Sequence, residues 1–392
     1  MRPSRHGGGE KFVSLLAEGL AKTGDEVSVA TLHAGSNEAA DMLNGVLVYR
    51  LPVDNIYWPF DTETVPSFLS KLRWHAHDTW NSRASDRVAR LLDREQPDVV
   101  NTHGLSGFSV AVWAQVKMRR IRLVHTLHDF YLLCRNSAFF RNGKVCSRRC
   151  RECAFVTMPR KWATSRVDSV VSISQYVLSS HLRYGRFQGV PASVIYNIVE
   201  SAVKPSDADC NSISRPLVFG YIGRLEQEKG IDLLLEAAGR LNGDWRLRVA
   251  GSGKPSFVAQ LKRRYSDPRI EWLGFVDAAS FYQSIDVTVI PSVWPEPMGR
   301  TVIEAFAADR SVICARSGGI PEVAAFGKQV ETYIATDVDA LAAIMNSALR
   351  DGARWRRGGC RDEAAQSVFS EAYIVDRYRA IYSNAKTRRS EA

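Results

Sequence analysis

The chain has 392 residues, seven cysteines and a formal net charge of +10, and 45% of its residues are hydrophobic and 24% charged. A chain of this length is longer than one hydrophobic core usually organises, which favours two domains. No apolar run approaches the roughly 20 residues that a membrane-spanning helix needs. Residues 1–12 lack the apolar segment of a signal peptide, and an odd number of cysteines argues against a disulfide framework, so we expect a globular protein of the cytoplasm.

The chain begins with a glycine run, Gly7 to Gly9, that leads into an amphipathic helix predicted over residues 11–20. A glycine-rich loop of this kind normally follows a buried strand. Only six residues precede the run here, and residues 2–6 do not have the composition of a strand. The first central strand of the sheet is therefore expected to be missing, which predicts a gene start placed too late and an insoluble or poorly active chain.

Short apolar runs alternate with helical patterns through the first half of the chain. The predicted elements are strands at 26–31, 46–50, 97–103, 121–129, 167–173 and 194–197, and helices at 68–93, 108–117 and 174–183. Alternation of this kind predicts a parallel, doubly wound sheet.

Lysine and arginine dominate the stretch from Lys117 to Arg186, which holds fifteen of them against three acidic residues. Such a stretch attracts anions, for example nucleic acid, anionic lipid or a phosphorylated substrate. It contains no readable nucleic-acid-binding module, so we expect no nucleic acid partner and instead an anionic membrane surface or a pyrophosphate-bearing acceptor. A solvated basic surface is the alternative.

Four cysteines in this stretch have the spacing C-x11-C-x3-C-x2-C: Cys134, Cys146, Cys150 and Cys153. Four thiolates could hold a structural zinc ion. The spacing is not that of a standard zinc finger, so reduced structural cysteines are the alternative.

The second half repeats the alternation after a polar linker predicted at residues 201–215. Its predicted elements are strands at 217–222, 246–250, 270–274, 286–291 and 311–315, a helix at 231–241 and an amphipathic C-terminal helix at 371–384. The chain is therefore predicted to be α/β, with two tandem Rossmann-like doubly wound domains at 1–200 and 216–370, and residues 371–392 are expected to pack back on the first. Because open parallel sheets bind ligands beyond the carboxyl ends of their strands, two such sheets facing each other predict an interdomain cleft.

Two carboxylates stand out in WPEPMGRTVIEA, residues 294–305. Glu296 lies in a loop broken by prolines and a glycine, and Glu304 lies in an apolar run typical of a helix. They would face a common cleft, with unpaired backbone N–H groups of the helix start between them. Such groups suit a sugar joined to a phosphate, whereas a loop acid and a solvated helix acid are the alternative.

Arg224 and Lys229 lie in the loop Gly223–Gly230, after the first strand of the second half. An arginine can bind phosphate oxygens through two donors, and a lysine adds a point charge. The two cations predict an anion site, and an exposed charged turn is the alternative.

Together these features resemble a retaining glycosyltransferase of family 4, of the glycosyl transferases group 1, with the two-Rossmann-domain architecture called GT-B. The resemblance covers nearly the whole chain. Its motifs are Gly8-Gly9 with Glu10, Gly223-Arg224 with Lys229-Gly230, Ala250-Gly251-Ser252-Gly253, Pro291-Ser292, Pro295-Glu296-Pro297-x-Gly299 before Glu304-Ala305, and Gly318-Gly319-Ile320-Pro321-Glu322-Val323.

The resemblance implies a nucleotide-diphosphate sugar as co-substrate, with no cofactor and no metal. Arg224 and Lys229 would neutralise the diphosphate leaving group, and Glu296 would accept hydrogen bonds from hydroxyls of the donor sugar. His128 would contact that sugar or assist proton transfer near the acceptor. His103 and His125 are weaker candidates for this role.

The resemblance also implies the remaining donor-binding residues. Gly8 and Gly9 would let their loop approach the diphosphate closely, because glycine has no Cβ. Glu304 would bind the ribose hydroxyls of the nucleotide, and Gly223 belongs to the loop of the anion site. The backbone N–H groups expected to contact the sugar are those of Met298, Gly299 and Arg300.

In the implied reaction, the nucleotide sugar loses its diphosphate while Arg224, Lys229 and helix N-termini stabilise the negative charge that builds on it. The acceptor hydroxyl adds to the same face of the sugar, and the leaving phosphate oxygen takes its proton. In this reaction cationic side chains would neutralise the diphosphate charge in place of a metal ion. The sequence Asp207-Ala208-Asp209 has the Asp-x-Asp pattern that can bind a metal, but it lies in the predicted linker and so does not indicate a metal site.

The segment 324–333, AAFGKQVETY, departs from the family, which usually has a D-G-x-x-G turn there. The expected function is sugar transfer to a polysaccharide or lipid-linked acceptor in cell-envelope glycan synthesis, at the inner face of the cytoplasmic membrane. One alternative is a truncated, non-catalytic nucleotide-sugar-binding protein. Another is a sugar-phosphate or sucrose-type synthase with a small soluble acceptor.

Overall fold

The described part of the chain divides into two compact units. The computed structural model describes residues 8–59, 66–141, 143–199, 215–356 and 367–383. Unit 1 lies within residues 1–139, 147–198 and 371–392, and unit 2 within residues 140–146 and 199–370. A short hairpin at 140–146 thus belongs to unit 2, although the sequence placed it in the first domain. The predicted linker lies outside the described residues, apart from Arg215.

Helices and strands alternate through the first half of the chain. They are α1 (Gly8–Lys22), β1 (Ser28–His33), β2 (Ala39–Leu43), β3 (Val46–Pro52), α2 (Phe68–Thr79), α3 (Ser82–Glu95), β4 (Val99–Thr102), α4 (Ala111–Met118), β5 (Arg122–Leu127), β6 (Phe140–Arg141), β7 (Lys144–Val145), α5 (Arg151–Val156), α6 (Met158–Ala163), β8 (Ser169–Ser172), α7 (Gln175–Arg183) and β9 (Ala192–Val194).

The same alternation continues in the second half. Its elements are β10 (Leu217–Ile222), α8 (Ile231–Ala238), β11 (Trp245–Ala250), α9 (Pro255–Arg264), β12 (Ile270–Gly274), α10 (Ala278–Gln283), β13 (Val287–Ile290), α11 (Arg300–Ala307), β14 (Ser311–Arg316), α12 (Ile320–Ala324), β15 (Val330–Ile334), α13 (Val338–Arg350), α14 (Gly352–Arg356) and α15 (Glu371–Ser383).

The described strands of unit 1 form two sheets. Strands β4, β5, β8 and β9 make a parallel sheet. Strand β3 pairs in parallel with β1 and antiparallel with β2, which the sequence did not predict. Among the described residues no strand pairing joins the two sheets. Residues 1–7, on which the predicted lack of a first central strand depends, lie outside the described residues.

The single helix predicted at 68–93 is two helices, α2 and α3. Asn81 separates them, because its side chain accepts a hydrogen bond from the Ala84 N–H over 3.1 Å and so caps α3. Asparagine is among the preferred N-cap residues, since its side-chain oxygen satisfies an N–H that has no partner within the helix. The break places α2 apart from α3, with its own exposed face.

Helix α15 belongs to the core of unit 1. Ile374, Val375 and Tyr378 of α15 are buried in one cluster with Phe12 of α1. A Cβ added to Gly19 of α1 would lie only 2.6 Å from a methyl carbon of Val375. The two helices therefore pack closely, and their apolar faces cover one side of the four-stranded sheet.

Unit 2 is built on one six-stranded parallel sheet, in the order β12-β11-β10-β13-β14-β15. Apolar residues of the central strands, such as Phe219, Leu247, Val287 and Ile313, are fully buried. Strands buried on both faces read as continuous apolar runs, which is why the sequence predicted them. Among the described residues, no helix combines the length and the apolar character of a membrane span.

Candidate functional site

The strand order of unit 2 reverses at β10. Strands β11 and β12 follow it on one side and β13 to β15 on the other, so β10 and β13 are neighbours, with Phe219 paired to Val287. The carboxyl ends of both strands open at the same edge of the sheet. In open α/β sheets, a reversal of this kind forms a ligand-binding crevice. The loops that leave the two strands carry Lys229 and Glu296.

Lys229 and Glu296 form an ion pair that is largely shielded from solvent. Lys229 Nζ donates to Glu296 Oε1 over 2.6 Å, and the two side chains are 19% and 13% exposed. Ser292 Oγ donates to the same oxygen over 2.8 Å. Burial opposes ionisation, but the Lys229 charge and the hydrogen bonds from Lys229 and Ser292 outweigh it and hold the pKa of Glu296 below its usual value. The carboxylate is therefore ionised at neutral pH and can accept hydrogen bonds from hydroxyls.

Backbone contacts fix the Lys229 loop against the Glu296 loop. The N–H groups of Val293 and Trp294 donate to the carbonyl oxygen of Glu228 over 3.0 and 3.2 Å. Lys229 Nζ also lies 4.9 Å from the centre of the Trp294 ring. The ammonium group is thus positioned by the fold itself.

Two glycines let neighbouring loops approach the ion pair closely. Gly318, after β14, has φ +61°, and a Cβ there would lie 2.1 Å from the carbonyl oxygen of Glu296. On the other side, Gly230 has φ +68°, and a Cβ would lie 1.9 Å from the carbonyl oxygen of Pro291. Only glycine meets both the backbone conformation and the lack of space.

Gly318→Ala is expected to displace the Glu296 loop, destabilising unit 2 by roughly 1–3 kcal/mol and weakening donor binding. Denaturant unfolding and calorimetric titration with a nucleoside diphosphate would measure the two effects. Gly274→Ala is the matched control, because Gly274 has φ +68° and an added Cβ would meet nothing within 4 Å. Equal losses of unfolding free energy and of nucleoside diphosphate affinity in both variants would show that backbone strain causes the effect at Gly318, and not contact with the Glu296 loop.

Arg224 lies on the same loop as Lys229 but outside the buried ion pair. Its side chain is 59% exposed and pairs with Glu226, with 2.5 Å between the charged atoms. Its carbonyl oxygen accepts a hydrogen bond from Tyr221 over 2.7 Å. Gly223, just before it, donates its N–H to Ala250 over 3.1 Å. The loop therefore holds one exposed cation, Arg224, and one largely shielded cation, Lys229.

Glu304 lies on α11, which begins at Arg300 after Gly299 with φ +91°. Arg300 Nε donates to Glu304 Oε1 over 2.7 Å, and the Tyr282 hydroxyl donates to Oε2 over 3.4 Å. The Met298 side chain is buried. Glu304 is thus paired with Arg300 and Glu296 with Lys229, so the two predicted carboxylates have different cationic partners.

Gly8 and Gly9 begin helix α1, whereas the sequence placed them in a loop before the helix. That expectation was wrong because the first turn of a helix tolerates glycine: its N–H groups have no partner within the helix, and Glu10 there interacts favourably with the helix dipole. A Cβ on Gly9 would lie 3.9 Å from the ring of His128. Because glycine has no side chain, no Cβ lies between the backbone of the first turn of α1 and the His128 ring.

His128 follows β5 and contacts His103. His128 Nε2 lies 2.9 Å from His103 Nδ1, and the Phe12 ring packs on His128 with 5.3 Å between ring centres. Burial lowers the pKa of His128 to about 4 and that of His103 well below its ordinary value. Both rings are neutral at pH 7, so one nitrogen of this contact donates and the other accepts.

His125 is a core residue. It is 3% exposed, its Nδ1 lies 2.9 Å from the hydroxyl of Thr102, and its ring packs edge-on against Trp113. Burial lowers its pKa to about 3. These contacts make His125 the weakest of the three histidine candidates.

Sequence reasoning missed the residues that position the loop after His128. Asp129 accepts the N–H of Tyr131 over 2.7 Å, and burial raises the pKa of Asp129 to about 6. Arg160 donates to the Tyr131 carbonyl over 2.6 Å and to Asp78 over 3.0 Å, and this ion pair is buried. The adjacent pair His128-Asp129 is visible in the sequence and could have indicated Asp129 as a site residue. A count of charges could not distinguish Arg160 from the exposed arginines around it.

Arg160→Leu is expected to destabilise unit 1 by about 3–5 kcal/mol, because Asp78 would remain buried without its cation. The double variant with Asp78→Asn should recover part of that loss, since the uncompensated charge is then gone. Denaturant unfolding of the three proteins measures this. A loss below about 1 kcal/mol in the single variant would contradict a structural role for the ion pair.

The basic stretch does not form one uniform surface. Arg160 and Arg186 are buried. Lys117 pairs with Asp168 over 2.8 Å, and Arg119 pairs with an acidic residue of α3 over 2.6 Å. The exposed positive charge is therefore smaller than the sequence count.

The four cysteines are not joined in disulfide bonds, and the sulfurs of two of them approach each other closely. The sulfurs of Cys134 and Cys153 lie 3.9 Å apart, and the Cys150 sulfur accepts the N–H of Cys153 over 3.4 Å. The hydrogen bond from Cys153 is the largest cause that lowers the pKa of Cys134 to about 5. The described residues contain no group of three or more ligand side chains able to hold a metal ion, which gives the zinc alternative no support there.

Comparisons with known proteins match both units. Residues 6–203 match the family model Glycosyltransferase Family 4, and residues 216–351 match Glycosyl transferases group 1. An uncharacterised 42.6 kDa protein in the cps region of Klebsiella pneumoniae is 31% identical over 380 residues, which is 97% of this chain and 96% of that protein. D-inositol 3-phosphate glycosyltransferase of Xylanimonas cellulosilytica is 26% identical over 422 residues, covering 98% and 93% of the two chains.

Solved structures share the fold. Sucrose-phosphate synthase from Thermosynechococcus elongatus has a TM-score of 0.77 at 20% identity and covers 97% of this chain and 94% of its own. Anabaena HepE in complex with UDP and glucose has a TM-score of 0.70 at 18% identity and covers 98% of each chain. With a parallel α/β sheet in each unit, the chain has the GT-B fold predicted for it. The chain belongs to glycosyltransferase family 4, and it is a glycosyltransferase.

Proposed function

We propose that this enzyme moves a sugar, with retention, from a nucleotide-diphosphate sugar to a polysaccharide or lipid-linked acceptor in cell-envelope glycan synthesis. The observation that carries the proposal is the Lys229–Glu296 ion pair at the strand reversal of unit 2. This ion pair places the Lys229 ammonium group, which would bind the diphosphate, beside the Glu296 carboxylate, which would bind the sugar hydroxyls. The cps-region relative supports a role in surface-polysaccharide synthesis. The proposed place of reaction is the cytoplasmic face of the membrane.

The proposed donor is a nucleoside diphosphate sugar, with uridine as the first base to test. Support comes from HepE, whose structures hold UDP and UDP-glucose. Arg224 and Lys229 neutralise the diphosphate as the bond between it and the sugar breaks. Glu304 binds the ribose hydroxyls, and Arg300 and Tyr282 hold its carboxylate in place.

The proposed transfer needs no charged base from the protein. The bond from the sugar to the diphosphate breaks, the acceptor oxygen bonds to the same face of the sugar, and the departing phosphate oxygen takes the acceptor proton. In unit 1, the His128–His103 pair is neutral and can donate a hydrogen bond to a hydroxyl without adding a fixed charge.

Radiolabelled transfer from a panel of nucleotide sugars tests the proposal against its alternatives. The panel should include UDP-glucose, and the acceptors should be membrane extract, soluble polysaccharide and small sugars. Label in lipid or polysaccharide is the expected result. Label only in a small soluble sugar would favour the synthase alternative, and binding of nucleotide sugar without any transfer would favour a non-catalytic protein.

Glu296→Ala and Glu304→Ala should separate sugar recognition from nucleotide recognition. We expect Glu296→Ala to lower kcat/KM by at least about 10²-fold, because the carboxylate for the sugar hydroxyls is lost. The loss of nucleoside diphosphate affinity should be smaller, because Lys229 loses its ion-pair partner but keeps its charge and its contact with the Trp294 ring. Glu304→Ala should mainly weaken nucleoside diphosphate binding. Steady-state kinetics and calorimetric titration measure these effects. Unchanged turnover in Glu296→Ala would overturn its assigned role.

A further inference from the structure

Two short segments of unit 1 expose large apolar side chains. On α2, Phe68 and Leu69 are 73% and 65% exposed, and on α5 and α6, Phe155 and Trp162 are 76% and 66% exposed. Apolar side chains exposed together mark an interaction site, whereas scattered single ones are ordinary. We call the group the α2–α6 surface. Its members are Phe68, Leu69, Leu72, Phe155, Met158 and Trp162.

The segments that carry this surface are neighbours. The Thr79 hydroxyl at the end of α2 donates to the Val156 carbonyl at the end of α5 over 3.5 Å. Thr157 both ends α5 and starts α6, so these two helices follow each other directly. The break at Asn81 keeps α2 separate from α3, which lets α2 lie against α5.

Positive charge surrounds the apolar side chains. The exposed basic residues of the same helices and the turn after α6 are Lys71, Arg73, Arg151, Lys161 and Arg166. None of the five forms an ion pair with a residue that the structure describes. The exposed acid on these helices, Glu152, is paired with Arg135. An apolar surface with a basic rim suits a bilayer with anionic headgroups, because aromatic rings enter the interface while basic side chains reach lipid phosphates.

We propose that the α2–α6 surface docks the enzyme on anionic lipid bilayers. This inference rests on the proposed function. It narrows the part of the protein that contacts the membrane from the whole basic stretch to the three helices α2, α5 and α6. It includes α2, which lies outside that stretch, and excludes the buried Arg160 and Arg186.

The docked helices also hold the loop after His128. Asp78 near the end of α2 and Arg160 of α6 form the buried ion pair, and both bind Tyr131 of that loop: the Tyr131 hydroxyl donates to the Asp78 carbonyl over 2.9 Å. The surface that contacts lipid and the candidate acceptor-side histidine are therefore fixed to one rigid network.

Vesicle co-sedimentation tests the docking. The full chain should bind vesicles of phosphatidylglycerol and phosphatidylethanolamine and bind pure phosphatidylcholine vesicles much less. Phe155→Ala with Trp162→Ala, and separately Lys71→Glu with Lys161→Glu, should each weaken partitioning to anionic vesicles at least about tenfold. Phe275→Ala with Arg263→Glu, exposed positions of unit 2, is the matched control and should bind as the wild type does.

The outcomes that contradict the proposal are distinct. Absence of wild-type binding, or equal binding by the α2–α6 variants and the wild type, would overturn it. So would a change from dimer to monomer in the variants with vesicle binding unchanged, which would make the surface a contact between copies. Brominated lipids should quench the tryptophan fluorescence of the wild type more than that of Trp162→Phe. Equal quenching in the two proteins would exclude insertion of the Trp162 ring into the bilayer. Nucleoside diphosphate affinity should be unchanged in every variant, so a failure of docking stays separate from a failure of the proposed reaction.

Discussion

Replacing Lys229 with alanine is expected to lower kcat/KM for sugar transfer by about 10²–10³-fold. Negative charge develops on the departing diphosphate, and Lys229 is the largely buried cation of the anion-site loop. Its ammonium group is held in advance by Glu296 and by contact with the Trp294 ring. An electrostatic partner that needs no rearrangement during the reaction stabilises the transition state most.

The same substitution should also change Glu296. Without Lys229, burial is left as the main influence on this carboxyl group, so its pKa should rise and its ionised form should become less available. The affinity for a nucleoside diphosphate should fall more than in Glu296→Ala. Steady-state kinetics and calorimetric titration measure both effects. Arg263→Ala, an exposed cation on α9, is the control, and a Lys229→Ala enzyme within threefold of wild-type kcat/KM would contradict the assignment.

Acidification from pH 7 to pH 5 is expected to destabilise unit 1 by several kcal/mol. Burial lowers the pKa of His125 to about 3 and those of His128 and His181 to about 4. An unfolded histidine has a pKa near 6.5, so below that pH the unfolded state binds more protons than the folded state. Stability is therefore lost as pH falls from about 6.5 towards about 4. Each of these histidines contributes roughly 2 kcal/mol of this loss at pH 5. Asp78 and Asp129, whose pKa values burial raises to about 6, offset part of the loss because they bind protons in the folded state first.

The contribution of one histidine can be isolated at His181. Its ring is buried and stacks on Phe130 with 6.3 Å between ring centres, so His181→Phe should keep the packing and remove one protonation. The variant should lose less stability than the wild type between pH 7 and pH 5. Hydrogen exchange of unit 1 at the two pH values measures the difference, and His77→Phe, an exposed position on α2, is the control. The same pH dependence in all three proteins would refute the linkage.

Local patterns in the sequence predicted many of the strands and helices and named candidate donor-site residues. Leu217–Ile222 is a strand with the predicted bounds, because a buried apolar run in a parallel sheet is visible without its neighbours. Ile270–Gly274 also has the predicted bounds, although it is a partly exposed edge strand that contains Glu271. The start of α1 was misplaced because glycines signal a loop more strongly than a first helical turn. Motif order gave the candidate roles of Arg224, Lys229, Glu296 and Glu304, because members of one family carry the same motifs in the same order along the chain.

The sequence by itself determined that the chain holds two α/β units, since strand–helix alternation is a local feature, and it named a candidate anion-site loop in the second unit. The tertiary structure decided which of those residues meet. Lys229 and Glu296 are 67 positions apart and form an ion pair because β10 and β13 are adjacent across the strand reversal. The tertiary structure also decided which charges face water: Arg160 is buried against Asp78 while Lys161 is exposed. Burial and partner choice depend on how distant segments pack, and a linear pattern of charges does not contain that information.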